Sequence, residues 1–159
     1  EKMLTSSDFK DLLNLFEKHK VRYLIVGGYA VMKYSEPRFT KDLDILVAAD
    51  HENATSVYTA LIEFGAPLEN LTAKDFSQEG FFYQMGRPPI RVDILMSIPG
   101  IKFEDAWKNR EVVQLGNLKL LFISRSDLIH SKEASGRPQD KIDLEKLKEA
   151  EQMDALDKT

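Results

Sequence analysis

The chain of 159 residues contains no cysteine. That removes disulfides and thiolate metal sites, and it fits a reducing, cytoplasmic setting. No apolar run approaches the ~20 residues that span a bilayer, so no membrane partner is expected. Basic residues are not in excess. The formal net charge is -4, so no global positive field advertises nucleic acid, although acids gathered at a site would mask a local basic patch. No leader-like start is visible: Glu1 to Thr5 lead straight into a polar helix signal, and a first residue other than Met fits a trimmed chain. Repeats, low-complexity tracts and domain-sized linkers are also missing. A single domain over residues 1–159 is therefore expected, with C-terminal helices over about 125–150 packed on it.

The pattern that is present alternates strands with helices. Ser7 and Asp8 read as a helix start, and Phe9, Leu12, Leu13 and Phe16 as its apolar face. Residues 22–26 read as a buried strand, Ala30, Val31 and Tyr34 as a short helix ending before Pro37, and residues 42–48 as a second strand. Asp50 should cap a helix whose core face is Ala54, Val57, Tyr58, Leu61, Ile62 and Phe64, stopped by Gly65. Strands over 80–85 and 90–95 should pair around a turn at 86–89, and strands over 112–115 and 118–123 around Gly116-Asn117. Ser124 should cap a helix ended by Gly136, and Pro138 should open a last helix packed through Ile142, Leu144 and Leu147. Together these predict an α/β (α+β) fold with a mixed β-sheet flanked by helices.

One stretch carries chemistry. The run Tyr23-Leu24-Ile25-Val26 meets Gly27-Gly28, and a second strand then holds Asp42 and Asp44. Side chains two apart in a strand share a face, so the two carboxylates project together while Leu43 and Ile45 enter the core. Paired carboxylates repel unless a cation lies between them, and hard oxygen ligands suit Mg2+. A glycine turn at a helix start offers bare N–H groups that favour phosphate. A third acid, Asp93, sits in the apolar strand Ile90 to Leu95. Beside the Asp42–Asp44 strand it would complete a set able to hold two Mg2+ ions for phosphoryl transfer, and Asp93 would receive the acceptor's proton. Arg38, Thr40, Lys132 and Arg137 are candidate contacts to a nucleotide.

Plainer readings stand beside each of these. Asp42 and Asp44 could be surface acids on an edge strand, Asp93 could be paired with Arg91, and Gly27-Gly28 could be a simple tight turn. Lys132 could pair with Glu133 or Asp127 on its own helix. Asp140 and Asp143 fit a supporting or capping role better than metal binding. His19, His51 and His130 have no metal-ligand spacing. Phe81, Phe82 and Tyr83 read as core.

The order Val-Gly-Gly-Tyr-Ala, then Arg38-x-Thr40-x-Asp42-Leu-Asp44-Ile, then Asp93, resembles the nucleotidyltransferase superfamily of the DNA polymerase beta type. It looks like the minimal branch that includes the AbiEii-type toxins. The segment Ser124 to Leu144, with a lysine, Gly136-Arg137 and an aspartate, is similar to that branch's C-terminal part. Many superfamily members have Gly-Ser where this chain has Gly27-Gly28, so here only backbone is offered to phosphate. The resemblance implies a nucleotidyltransferase-like fold and transfer of an NMP from an NTP, ATP among the candidates. The implied acceptor is a tRNA or other RNA 3′ end, a protein hydroxyl or a small molecule. It also implies a possible place in a toxin–antitoxin or phage-defence module with a cognate antitoxin. The alternative is a catalytically inactive relative that binds nucleotide or a partner. Other Asp-x-Asp enzymes, the haloacid-dehalogenase phosphatases and metal-dependent glycosyltransferases, put the apolar run before the acids. Here Ile45-Leu46-Val47 follows them.

Overall fold

Helix α1 (Ser6–Lys18) is capped by Thr5 rather than Ser7, two residues earlier than the sequence suggests, and Asp8 accepts a hydrogen bond from the backbone N–H of Thr5 at 2.7 Å. In this computed structural model, which describes residues 4–37, 40–87 and 89–157, β1 (Tyr23–Val26) runs directly into α2 (Gly27–Tyr34). The chain continues through β2 (Asp42–Val47), α3 (His51–Phe64), a 3-10 turn (Ala73–Ser77) and the hairpin of β3 (Phe82–Arg87) and β4 (Ile90–Leu95). Next come α4 (Phe103–Lys108) and the hairpin of β5 (Glu111–Leu115) and β6 (Leu118–Phe122). Helices α5 (Arg125–Ser135) and α6 (Pro138–Asp157) close the described chain. Asp50 and Ser124 cap α3 and α5 as expected, each accepting from the backbone N–H three residues on.

The six strands form one mixed sheet in the order β3-β4-β2-β1-β6-β5. The β2–β4 and β1–β6 pairs are parallel, and the rest are antiparallel. Mixed pairing follows from hairpins at both edges and helical crossovers between the central strands. Because side chains alternate, the sheet has two faces of different character. One carries Tyr23, Ile25, Leu43, Ile45, Val92 and Ile94, all nearly inaccessible, and Phe16 of α1 packs its ring 5.6 Å from that of Tyr23. The other carries Val26, Asp44 and Asp93 in one cross-sheet row and Asp42 and Arg91 in the next.

Some expectations are corrected. The turn over 86–89 is shorter, because Gly86 and Arg87 stay in β3 and pair with Arg91 and Ile90. Gly86 manages this with a φ of +90°, and a Cβ there would lie 2.6 Å from Leu4 Cδ1. Ile62, Phe82 and Ile142 face solvent rather than the core. In α6 the buried positions are Asp140, Asp143 and Leu147, so the inward face of that helix is largely acidic. Residues 151–157, whose polar sequence fits either a frayed end or a continued helix, belong to α6, which runs to Asp157. Among the described residues, no helix is long and apolar enough to cross a membrane.

Candidate active site

Strand register assembles the acids. Asp44 on β2 lies directly opposite Asp93 on β4 and opposite Val26 on β1, while Asp42 lies opposite Arg91. Asp42, Asp44 and Asp93 are thus brought together on one face of the parallel pair at the centre of the sheet, not at an edge. Gly27 closes one side. Its φ is +66°, and a Cβ built on it would sit 2.1 Å from Asp44 Oδ2. Only glycine lets the backbone at the head of α2 approach that carboxylate so closely.

The crowding changes the acids themselves. Burial, and then repulsion from Asp93 and Asp42, pushes the Asp44 carboxyl up to about 7. Asp93 is also raised, chiefly by burial, with Arg91 opposing. Asp93 Oδ1 is buried and makes no hydrogen bond of good geometry. Arg91 stands between the remaining oxygens: its Nη2 donates to Asp42 Oδ2 at 3.2 Å and to Asp93 Oδ2 at 3.4 Å. The plainer pairing of Asp93 with Arg91 is therefore present, extended to Asp42.

A second charged group faces the trio from α5 and α6. Lys132 Nζ contacts Asp140 Oδ1 at 2.9 Å and Asp143 Oδ2 at 3.3 Å, and Arg137 Nε donates to Asp140 Oδ2 at 2.7 Å. The Ser135 hydroxyl also donates to Asp140. Burial alone would raise the Asp140 carboxyl, but these donors hold it well below the usual carboxylate range. Lys132 is thus partnered by Asp140 and Asp143 of the following helix, not by Glu133 or Asp127 of its own. Asp140 and Asp143 do support the basic segment.

Gly27 and Asp44 on one side, and Ser131, Lys132, Ser135 and Arg137 on the other, line a cavity of about 90 Å³. That is well below the roughly 300–1,000 Å³ of a small-molecule pocket, so the enclosed part has room for a phosphate group and not for a whole nucleotide. Larger clefts of about 620 and 760 Å³ elsewhere contain none of the trio. Gly28 is buried at the start of α2. Thr40 stands beside the trio and makes a long 3.5 Å contact from its hydroxyl to the Asp42 carbonyl. Arg38 lies outside the described residues.

The donor set suits a hard divalent cation. Three carboxylates share a face, one buried oxygen makes no hydrogen bond of good geometry, and the charge is crowded enough to raise Asp44. Among the described residues, no three acidic or histidine side chains already converge on one metal position. Asp42 and Asp93 instead both present an Oδ2 atom to Arg91. Reading the sequence left Arg91 with a bland role. The i, i+2 spacing to Asp93 signals a shared face, but the pairing with Asp42 depends on a register that joins segments 49 residues apart.

A profile described as "Nucleotidyltransferase of unknown function (DUF6036)" matches residues 7–158. The chain belongs to this nucleotidyltransferase family. No curated protein matches its sequence. Among solved structures, the nucleotidyltransferase fold seen here is similar to that of the lincosamide antibiotic adenylyltransferase LnuA, crystallised with lincomycin. That match has 19% identity and a TM-score of 0.57, and covers 92% of this chain and 98% of LnuA. An antigenic nucleotidyltransferase-like protein from Paracoccidioides brasiliensis is 18% identical with a TM-score of 0.53, covering 94% of this chain and 78% of that one. A Thermotoga maritima protein assigned as a nucleotidyltransferase is 16% identical with a TM-score of 0.55, covering 99% and 98%. At these identities the likeness is one of fold.

Proposed function

We propose that this nucleotidyltransferase moves a nucleoside monophosphate from a nucleoside triphosphate, ATP being the first donor to test, to the hydroxyl of a small-molecule acceptor. The observation that carries the reading is the pairing of Asp44 with Asp93 across parallel strands, with Asp42 on the same face and Gly27 against Asp44. In this reading Asp42, Asp44 and Asp93 hold two Mg2+ ions, which when bound neutralise triphosphate charge and make the acceptor hydroxyl a better nucleophile. The Gly27 and Gly28 N–H groups at the head of α2 face phosphate. Lys132 and Arg137 meet phosphate oxygens within the small cavity, and Arg38 and Thr40 remain candidate contacts to the nucleotide. The acceptor oxygen bonds to the α-phosphorus, its proton passes to Asp93, and the bond to pyrophosphate breaks.

The small-molecule acceptor is favoured by LnuA, whose printed name is that of an antibiotic adenylyltransferase and whose chain is matched over 98% of its length. A triphosphate donor suits action in the cytoplasm. If the acceptor were instead an RNA 3′ end or a protein hydroxyl, a toxin-like role with a cognate antitoxin would follow.

The test is label transfer from α-³²P-ATP with Mg2+. The acceptors would be a panel of hydroxyl-bearing small molecules that includes lincomycin, then total RNA, then lysate protein. Label on a small molecule is the expected result. Label on RNA or protein would overturn the acceptor class and keep the reaction. No labelled product and no pyrophosphate with any donor would favour a relative that binds nucleotide or a partner without chemistry.

A further inference from the structure

The sheet places a cation of its own inside the acidic trio. Arg91 is two residues from Asp93 on β4 and directly opposite Asp42 on β2, so its backbone position between the two acids is fixed by strand register. Its guanidinium spans them, yet the clasp is poor. A single nitrogen, Nη2, serves both acids at 3.2 and 3.4 Å. Bidentate guanidinium–carboxylate pairs use two nitrogens at roughly 2.7–2.9 Å. Arg91 Nε and Asp93 Oδ1 are both buried, and neither makes a hydrogen bond of good geometry. A pair built only to tie β2 to β4 would use these atoms on each other. The Arg91 side chain is also 33% exposed, so it can leave toward solvent without breaking the core.

We infer that Arg91 is the resident counter-ion of the trio: it holds Asp42 and Asp93 while metal is absent and yields their oxygens when a divalent cation binds. The inference rests on the reading of the trio as the metal site. A guanidinium and a divalent cation are rival partners for the same two carboxylates, so the two would compete. Where a competing state fills the site in about nine molecules of ten, apparent affinity falls about tenfold, and removing the competitor restores it. Arg91 therefore sets how much divalent cation the protein needs before it takes a polyanionic donor. It also keeps the empty site from becoming a patch of unopposed charge.

Calorimetric titration with Mn2+, without nucleotide, tests this on wild type, Arg91→Gln and Arg91→Lys. Arg91→Gln should bind about tenfold more tightly, while Arg91→Lys, which keeps a cation on the strand, should stay near wild type. A second measurement needs no binding by a variant. In the ¹H–¹⁵N spectrum of wild type, the Arg91 Nε–H signal, assigned by its loss in Arg91→Lys, should move with Mg2+ and saturate. Equal or weaker Mn2+ binding by Arg91→Gln, or a signal unmoved at saturating Mg2+, would leave Arg91 an ordinary structural pair. Absence of Mn2+ binding in both wild type and Arg91→Gln would instead contradict the trio as the metal site, and the role of Arg91 with it.

Discussion

The Asp44 carboxylate rests against the backbone of Gly27, so near that a methyl group on that residue would lie 2.1 Å from Asp44 Oδ2. The glycine also has a φ of +66°, which costs an L side chain about 1 kcal/mol or more. Gly27→Ala should therefore destabilise the fold by about 2 kcal/mol and displace Asp44. Urea denaturation should show the first effect, and loss of Mg2+-dependent nucleotide binding the second. A variant that kept both stability and binding would mean that the close approach has no role.

Lys132 is the shared cation of Asp140 and Asp143, both nearly inaccessible. Removing one partner from a buried ionic group is costly because the charges left behind cannot be resolvated. Lys132→Met should lower stability by about 3 kcal/mol, read by denaturant midpoint, and weaken triphosphate binding. Loss of binding without loss of stability would make Lys132 a phosphate contact alone.

The raised Asp44 carboxyl makes a signed prediction about pH. In the metal-free fold it titrates near 7, against about 4 in an unfolded chain. Below about pH 4 it is protonated in both states and costs nothing. As pH rises toward about 7 the unfolded chain ionises first, so the fold loses stability across that window, by a few kcal/mol at most. In EDTA the contribution of Asp44 should thus lower the melting temperature from pH 5 to pH 8, and Asp44→Asn should flatten that slope. Mg2+ should flatten it in wild type. A slope that is unchanged in Asp44→Asn would assign the pH dependence to other groups.

Asp93 is the residue we propose as the proton acceptor. Once an acceptor molecule is known, Asp93→Asn should lower the rate of transfer by roughly 10²–10⁴ while the fold is retained. Pyrophosphate release measures the rate, and circular dichroism the fold. Transfer at the wild-type rate would remove Asp93 from that role.

Local chemistry explains which parts of this arrangement could be read in advance. The alternation Asp42-Leu43-Asp44-Ile45 announces a strand with acids on one face, because period two is a local property. Asp50, Gly65, Ser124 and Gly136 mark helix ends for equally local reasons. Pairing across the sheet is not local, so the contact of Arg91 with Asp42 was invisible, as was the order β3-β4-β2-β1-β6-β5. The ion-pair partners of Lys132 lie in the next helix, beyond Gly136, at a spacing that no single helix would bring together, whereas Glu133 and Asp127 are its neighbours along its own helix. Ile62 and Ile142 look like core by composition and face solvent because the helices turn other residues inward.

The most direct test of a triphosphate site built on the acidic trio is thermal stability with ATP, GTP, CTP and UTP in turn, with and without Mg2+. It compares wild type with Asp42→Asn. A nucleotide at 100 times its Kd should add about 2.7 kcal/mol, visible as a rise of several degrees. The predicted result is a rise with at least one nucleotide that needs Mg2+ and is lost in Asp42→Asn. No rise with any nucleotide, or a rise that persists in EDTA and in the variant, would contradict it.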